Sequence, residues 1–371
     1  MSIEPVISIF KADSKTVSIM KRFTYLLTFT LTAFFLAAVV IIGCEGPAGP
    51  AGAAGADGAN GQDGKDGVDA NATCTQCHKD DTEVFVRSLQ AANSKHMTGG
   101  NFERSDADCA ACHTHEGFID RMESGEMEAS SDIANPSPPN CRTCHKIHIN
   151  YDYSDFAIRY PDPVDLWING VTVDVGVSNQ CANCHQPRIP DPMFTAGGDS
   201  ITITNSRWGP HHGPQSAMLW GTSAYEVAGS ASYPSPGSTQ HAGAGCKQCH
   251  MPDAFGNQAG GHTLKMSYEF HGSEEDWIAG CTACHSTIED FDYNDVQTTV
   301  AELTDSLHHV LMAKGLLDED GLVANTPQKV SAEEAGFIYN FLFIEEDLSM
   351  GVHNAGYAQA LLKNSLEALA D

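Results

Sequence analysis

The chain has 371 residues, 20 Lys and Arg against 48 Asp and Glu (formal charge −28), 34 Gly, and only 8% aromatic residues. An acidic surface repels a phosphate backbone, so this balance excludes a nucleic-acid binder; it keeps a protein soluble and favours partners with a basic face. The length allows one large or two small domains, but the composition leaves an ordinary apolar core thin, so another group has to fill the interior.

Lys21 and Arg22 precede an apolar stretch from Phe23 to Ile42, the charged-then-apolar order of a secretory signal. It ends at Ile41-Ile42-Gly43-Cys44, which resembles a bacterial lipoprotein box and implies cleavage before Cys44 and lipidation of its thiol. An uncleaved membrane anchor is the alternative, because about twenty apolar residues span a bilayer. Met20 directly precedes Lys21, so the residues before it read as an upstream start or a short cytoplasmic tail. Both readings place the remainder outside the cytoplasm, on the outer membrane or cell surface, or as a periplasm-facing anchored protein. Glu45, rather than Asp, follows the anchor and by resemblance to enteric lipoproteins favours the outer membrane. Residues 1–43 hold four basic and two acidic residues, leaving 16 basic and 46 acidic from Cys44 onward, a charge of −30.

Glycine then recurs at every third position from Gly46 to Gly67, giving eight Gly-X-Y triplets through Asp69. A polyproline-type chain with Gly at a crowded axis is what a collagen triple helix needs, and at roughly 3.1 Å per residue the run would extend about 75 Å. Pro47 and Pro50 alone stiffen it and no Pro stands at a Y position, so a flexible monomeric tether competes with a trimerising stalk. The expected division is 1–43 extension and signal, 44–70 lipidated Cys and stalk, and 71–371 a hexahaem domain with a helical tail at 298–371.

After the stalk every cysteine falls into one pattern, Cys-x-x-Cys-His: Cys74-Cys77-His78, Cys109-Cys112-His113, Cys141-Cys144-His145, Cys181-Cys184-His185, Cys246-Cys249-His250 and Cys281-Cys284-His285. The two-residue gap lets one turn present both sulfurs to the vinyl groups of one haem, with the adjoining imidazole under the iron. Disulfides, zinc ribbons and thioredoxin-like pairs also use Cys-x-x-Cys, but none requires His directly afterwards. The pattern predicts six haem c per chain, with the porphyrins themselves supplying the interior.

Eleven histidines remain: His96, His115, His148, His211, His212, His241, His262, His271, His308, His309 and His353. Six would saturate every iron, and ligation by two His suits an electron carrier, but spacing does not reveal the pairing.

Three stretches carry a resemblance: CRTCHKIH at 141–148; GPHHGPQSAMLWGTSAYE at 209–226 leading into STQHAGAGCKQCHMP at 238–252 and GGHT at 260–263; and NFLFIEEDLSMGVHNAGYAQALLKNS at 340–365. In these the chain resembles multihaem cytochromes related to pentahaem ammonia-forming nitrite reductases and to outer-surface electron-transfer cytochromes of metal-reducing bacteria. The resemblance implies a mainly α fold with extensive irregular loops wrapped around its haems. It implies His148, His211 or His212, His241, His262 and His353 as distal ligands, with His96 completing a set of six. It places no Met as a ligand, and His115, His271, His308 and His309 are expected to be surface or loop residues.

Beyond the last motif, Val300, Leu303, Leu307, Val310 and Leu311 share a helical face. Ser331 and Glu334 form a capping box before Phe337, Ile338, Phe341 and Leu342, and a third helix follows Asn354. His353 falls in the turn between two helices.

The expected function is electron transfer among redox proteins of the envelope, with the membrane met through the lipid anchor and no catalytic residue assigned. One alternative is a reductase of nitrite, hydroxylamine or a sulfur oxyanion with one open haem; ammonia-forming nitrite reductases commonly carry a Cys-x-x-Cys-Lys motif, whereas all six here end in His. The other is a homo-oligomer, either a stalk trimer or an extracellular conductive filament.

Overall fold

The structure, a computed structural model, describes residues 74, 77–79 and 83–370. The chain divides into two units, Met1–Asp66 and Gly67–Asp371; the signal, Cys44 and the Gly-X-Y run lie outside the described residues. In chain order the longer helices are α1 (Glu83–Ala92), α2 (Ala107–His113), α3 (His115–Ser124), α4 (Gln215–Trp220), α5 (Gln240–His250), α6 (Val296–Ala313), α7 (Ala332–Asp347) and α8 (Ala355–Ala370). Single turns form at Lys95–Thr98, Cys141–Cys144 and Asn179–Ala182. Strands among the described residues make three two-stranded antiparallel ribbons: β1 (Val164–Asp165) with β2 (Thr172–Val173), β3 (Ile201–Ile203) with β6 (Gln328–Val330), and β4 (Ser267–Phe270) with β5 (Ser273–Asp276). The protein is mainly helical and loop-rich, and none of its described helices is long and apolar enough to cross a membrane.

The apolar stripe anticipated after residue 298 becomes the inner face of α6, where Val300, Leu307 and Leu311 are buried. The capping box forms at the start of α7: Ser331 Oγ accepts the Glu334 N–H at 3.1 Å, and Glu334 Oε2 accepts the Ser331 N–H at 2.8 Å. Two donors that the helix end would otherwise orphan are thereby satisfied. Ser331→Ala is expected to cost about 1 kcal/mol, read as a lower midpoint in thermal unfolding of the full-length protein.

Two buried asparagines fasten the loop after α4 to these helices. Asn340 donates to Tyr225 O and accepts from Tyr225 N, both at 2.8 Å, and Asn364 likewise bridges Ala231 N and O at 3.0 and 2.9 Å. Each amide stands in for a strand neighbour, so loop backbone enters the interior without unsatisfied groups.

The thin core expected from composition holds for one part of the chain and fails for the rest. Before residue 164 the buried apolar side chains are Ala110, Ala111, Phe118 and Ala129, whereas the main cluster starts at Leu166 and gathers Phe194, Trp208, Tyr339, Phe343 and Tyr357. Tyr339 alone packs its ring within 5.6 Å of Phe194 and 6.2 Å of Trp208. The buried aromatics other than Phe118 are gathered on α7, α8 and the loops over them, because a residue buried with its neighbours removes more apolar surface from water than one scattered along loops.

Candidate functional site

Each Cys-x-x-Cys-His segment closes as one helical turn. The His N–H donates to the carbonyl of the first Cys at 2.8 Å for His78, 2.9 Å for His145, 3.0 Å for His185 and 2.9 Å for His285, while Cys109–His113 and Cys246–His250 end α2 and α5. Residues three apart in such a turn share a side, so both sulfurs of a motif are neighbours.

Every motif histidine faces one other histidine from a distant part of the chain. Ring centroids stand 6.1 Å apart for His78 and His148, 6.1 Å for His185 and His96, 6.1 Å for His113 and His211, and 6.2 Å for His145 and His262. His285 faces His241 at 6.1 Å, and His250 faces His353 at 6.3 Å. Two iron–nitrogen bonds of roughly 2 Å, with about 1.1 Å from each nitrogen to its ring centre, place two axial imidazoles about 6 Å apart. The six pairs therefore fit one iron each. Among the described residues no three or more His, Cys, Asp or Glu converge as a metal cluster would require, and no motif cysteine forms a disulfide.

The nitrogens are set for this. Nδ1 of His145 meets Phe156 O at 2.7 Å, His185 meets Gln215 Oε1 at 3.1 Å, and His241 meets Val352 O at 2.7 Å. His250 meets Leu264 O at 3.3 Å and His353 meets Asp347 Oδ1 at 2.7 Å. With Nδ1 occupied as donor, Nε2 keeps its lone pair for a metal. Burial first, and then a neighbouring imidazole, pushes His96, His211 and His262 down to about 4, so these rings are neutral at physiological pH, the form a metal requires. His353 moves the other way: burial lowers it, but the charge of Asp347 and its hydrogen bond raise it more.

The sequence left His211 and His212 open. His211, at φ 63°, is turned toward His113, and His212 is directed to the carboxylate of Glu346. The four histidines expected on loops or surfaces have other neighbours: His115 bonds Thr143 Oγ1 at 3.0 Å, His308 bonds Asp318 O at 2.9 Å, His309 bonds Asp305 O at 2.8 Å, and His271 packs on Phe270.

Successive sites lie side by side. Gln180, next to the fourth motif, donates to Thr143 O of the third at 3.3 Å; Lys247 N of the fifth donates to Ser178 Oγ beside the fourth at 3.0 Å. A Cβ on Gly280, before the sixth motif, would stand 2.5 Å from Gln248 O of the fifth. The thiols of Cys112 and Cys184 are near enough to perturb one another's titration, as are those of Cys181 and Cys246. His148, which faces the first motif, is three residues beyond His145 of the third. The fourth site thus has the second, third and fifth as neighbours. Arg121 is buried beside it, donating to Asn183 O at 2.9 Å.

The supporting residues carried no sequence signal. Gln215 receives its orientation from Glu346 O at 2.9 Å, so the end of α7 touches the surroundings of three pairs through Glu346 and Asp347. Asp155 accepts the N–H groups of Ile149, Asn150 and Tyr151 at 3.1, 2.7 and 3.1 Å, which pins the loop that carries His148 at φ 65°. Desolvation works against its charge, but these backbone donors prevail and hold the Asp155 carboxyl below its ordinary value. A depressed acid contributes stability that is complete above its unfolded value, about 3.9, and is lost as pH falls through the folded value. On acid titration below about pH 4, the loop that carries His148 is expected to loosen, and Asp155→Asn to loosen it at neutral pH, each read as faster hydrogen exchange of the Ile149, Asn150 and Tyr151 amides.

No family model and no curated protein matches the chain. Among solved structures it is similar to the crystal structure of outer cell wall cytochrome OcwA at 20% identity and a TM-score of 0.42, over 76% of this chain and 49% of that one. The matched part thus spans about half the length of that protein.

Proposed function

We propose that this chain is an exported cytochrome, lipidated at Cys44, that carries electrons through six covalently attached c-type haems, each held between two histidines. The observation that carries this reading is the pairing itself: six motif histidines, six partners, and ring spacings of 6.1 to 6.3 Å. Bound haem supplies reversible one-electron storage at each site.

The chain's own residues do the rest. The cysteine pairs would hold each haem covalently and the facing imidazoles would both bind its iron, which would leave no place for nitrite, hydroxylamine or a sulfur oxyanion. The tight approach of the attachment turns keeps neighbouring sites within hopping reach, along the order first, third, fourth, fifth and sixth, with the second beside the fourth. The acidic surface favours redox partners with a basic face.

The test is an EPR spectrum of the oxidised full-length protein together with its intact mass. Six haems per chain, a mature N-terminus at a lipidated Cys44, and low-spin irons unaltered by nitrite or hydroxylamine are expected. A high-spin iron that binds either molecule would overturn the carrier reading and make the protein a reductase.

A further inference from the structure

Five of the paired histidines have their Nδ1 bonds described above, and four of these end on neutral oxygens. His353 is different. Its Nδ1 lies 2.7 Å from Oδ1 of Asp347, whose side chain is 1% exposed. The other carboxylate oxygen of Asp347 accepts from Ser349 Oγ, so the carboxylate is held in one orientation. A buried anion on the far nitrogen of an imidazole draws the N–H proton toward itself and makes the opposite nitrogen a stronger electron donor. A more donating axial ligand favours the oxidised, more positive iron. Neutral carbonyl or amide oxygens do the same far more weakly, because they bring no full charge into a poorly solvated site.

We propose that Asp347 is a positioning residue that makes the His250–His353 site, the fifth along the chain, a low-potential member of the six, so that an electron there passes readily to its fourth and sixth neighbours. This rests on the haem reading above. The fifth site is the place where such a bias acts on direction, since it touches the fourth through Lys247 and Ser178 at 3.0 Å and the sixth through Gln248 and Gly280.

The experiment is a potentiometric titration of the complete protein, after its haems are counted by mass. Asp347→Asn is expected to move one reduction step, and one only, upward by tenfold or more in equilibrium constant, about 59 mV for one electron; Asp347→Glu restores it. Ser349→Ala removes a donor from the carboxylate, leaving it a stronger acceptor, and moves the same step downward by about threefold. Should Asp347→Asn fail to hold six haems, Ser349→Ala decides: an unmoved or raised step overturns the proposal. Six haems with no step moved by Asp347→Asn also overturns it. Fewer than six haems in the unaltered protein would instead strike at the haem reading and is distinguishable by mass alone.

Discussion

With six haems bound as proposed, His211→Ala is expected to turn one of six low-spin irons high-spin, whereas His212→Ala leaves all six low-spin. The two residues are neighbours with the same side chain, so the difference tests geometry alone. His211 adopts φ 63°, a left-handed backbone that L residues enter at a cost and that persists only when the surroundings hold it. The reward is a ring 6.1 Å from that of His113, whereas the His212 ring is 61% exposed and engages Glu346. The two rings stand 4.6 Å apart, so for His212 to replace its neighbour it would have to release that carboxylate and displace the His211 ring. The adjoining Gly213 leaves little slack, because a Cβ there would stand 2.5 Å from Gln186 O. Six low-spin irons after each substitution would show that the two can exchange, and five after His212→Ala with six after His211→Ala would make His212 the ligand. The EPR spectrum of each purified variant decides.

On the haem reading proposed above, Gly245→Ala is expected to leave six haems by mass but to turn the irons of the fifth and sixth sites high-spin together. Gly245 interrupts α5 with φ 66° and ψ 174°, a region in effect reserved for Gly, and forcing another residue there costs about 1–3 kcal/mol. Space is lacking too: a Cβ would lie 2.9 Å from Val175 O and 3.1 Å from Ser178 Oγ, the atom that receives Lys247 N–H. The kink separates His241, which faces His285, from Cys246, which opens the fifth motif. A straight helix through this point would rotate one relative to the other, and no single adjustment could correct both. Six low-spin irons in Gly245→Ala would mean that the kink is incidental to the two sites.

Where chemistry is local, the amino-acid sequence was sufficient. Each motif needs one turn to bring its sulfurs together, and the turn is encoded in five consecutive residues. The Ser331–Glu334 capping box and the stripe on α6 are equally local, the first resting on a three-residue reach and the second on the helical period. The candidate distal histidines could be named by likeness to a family, and all six of the motif histidines face members of that set.

Which histidine faces which was decided by the tertiary structure. His250 and His353 meet because the turn between α7 and α8 lies against α5, where Val352 O meets His241, and His185 meets His96 because the turn after α1 returns to the fourth motif; neither follows from separation along the chain. Asp347 and Gln215 carry no motif, since a residue that orients another needs only to be near it in space. The concentration of the few aromatics into one cluster was likewise invisible in composition, which counts side chains without saying which of them share an interior. Attachment is short-range and written in order along the chain; axial pairing requires two rings to meet across a gap of about 6 Å, and that closure belongs to the packing of the whole domain.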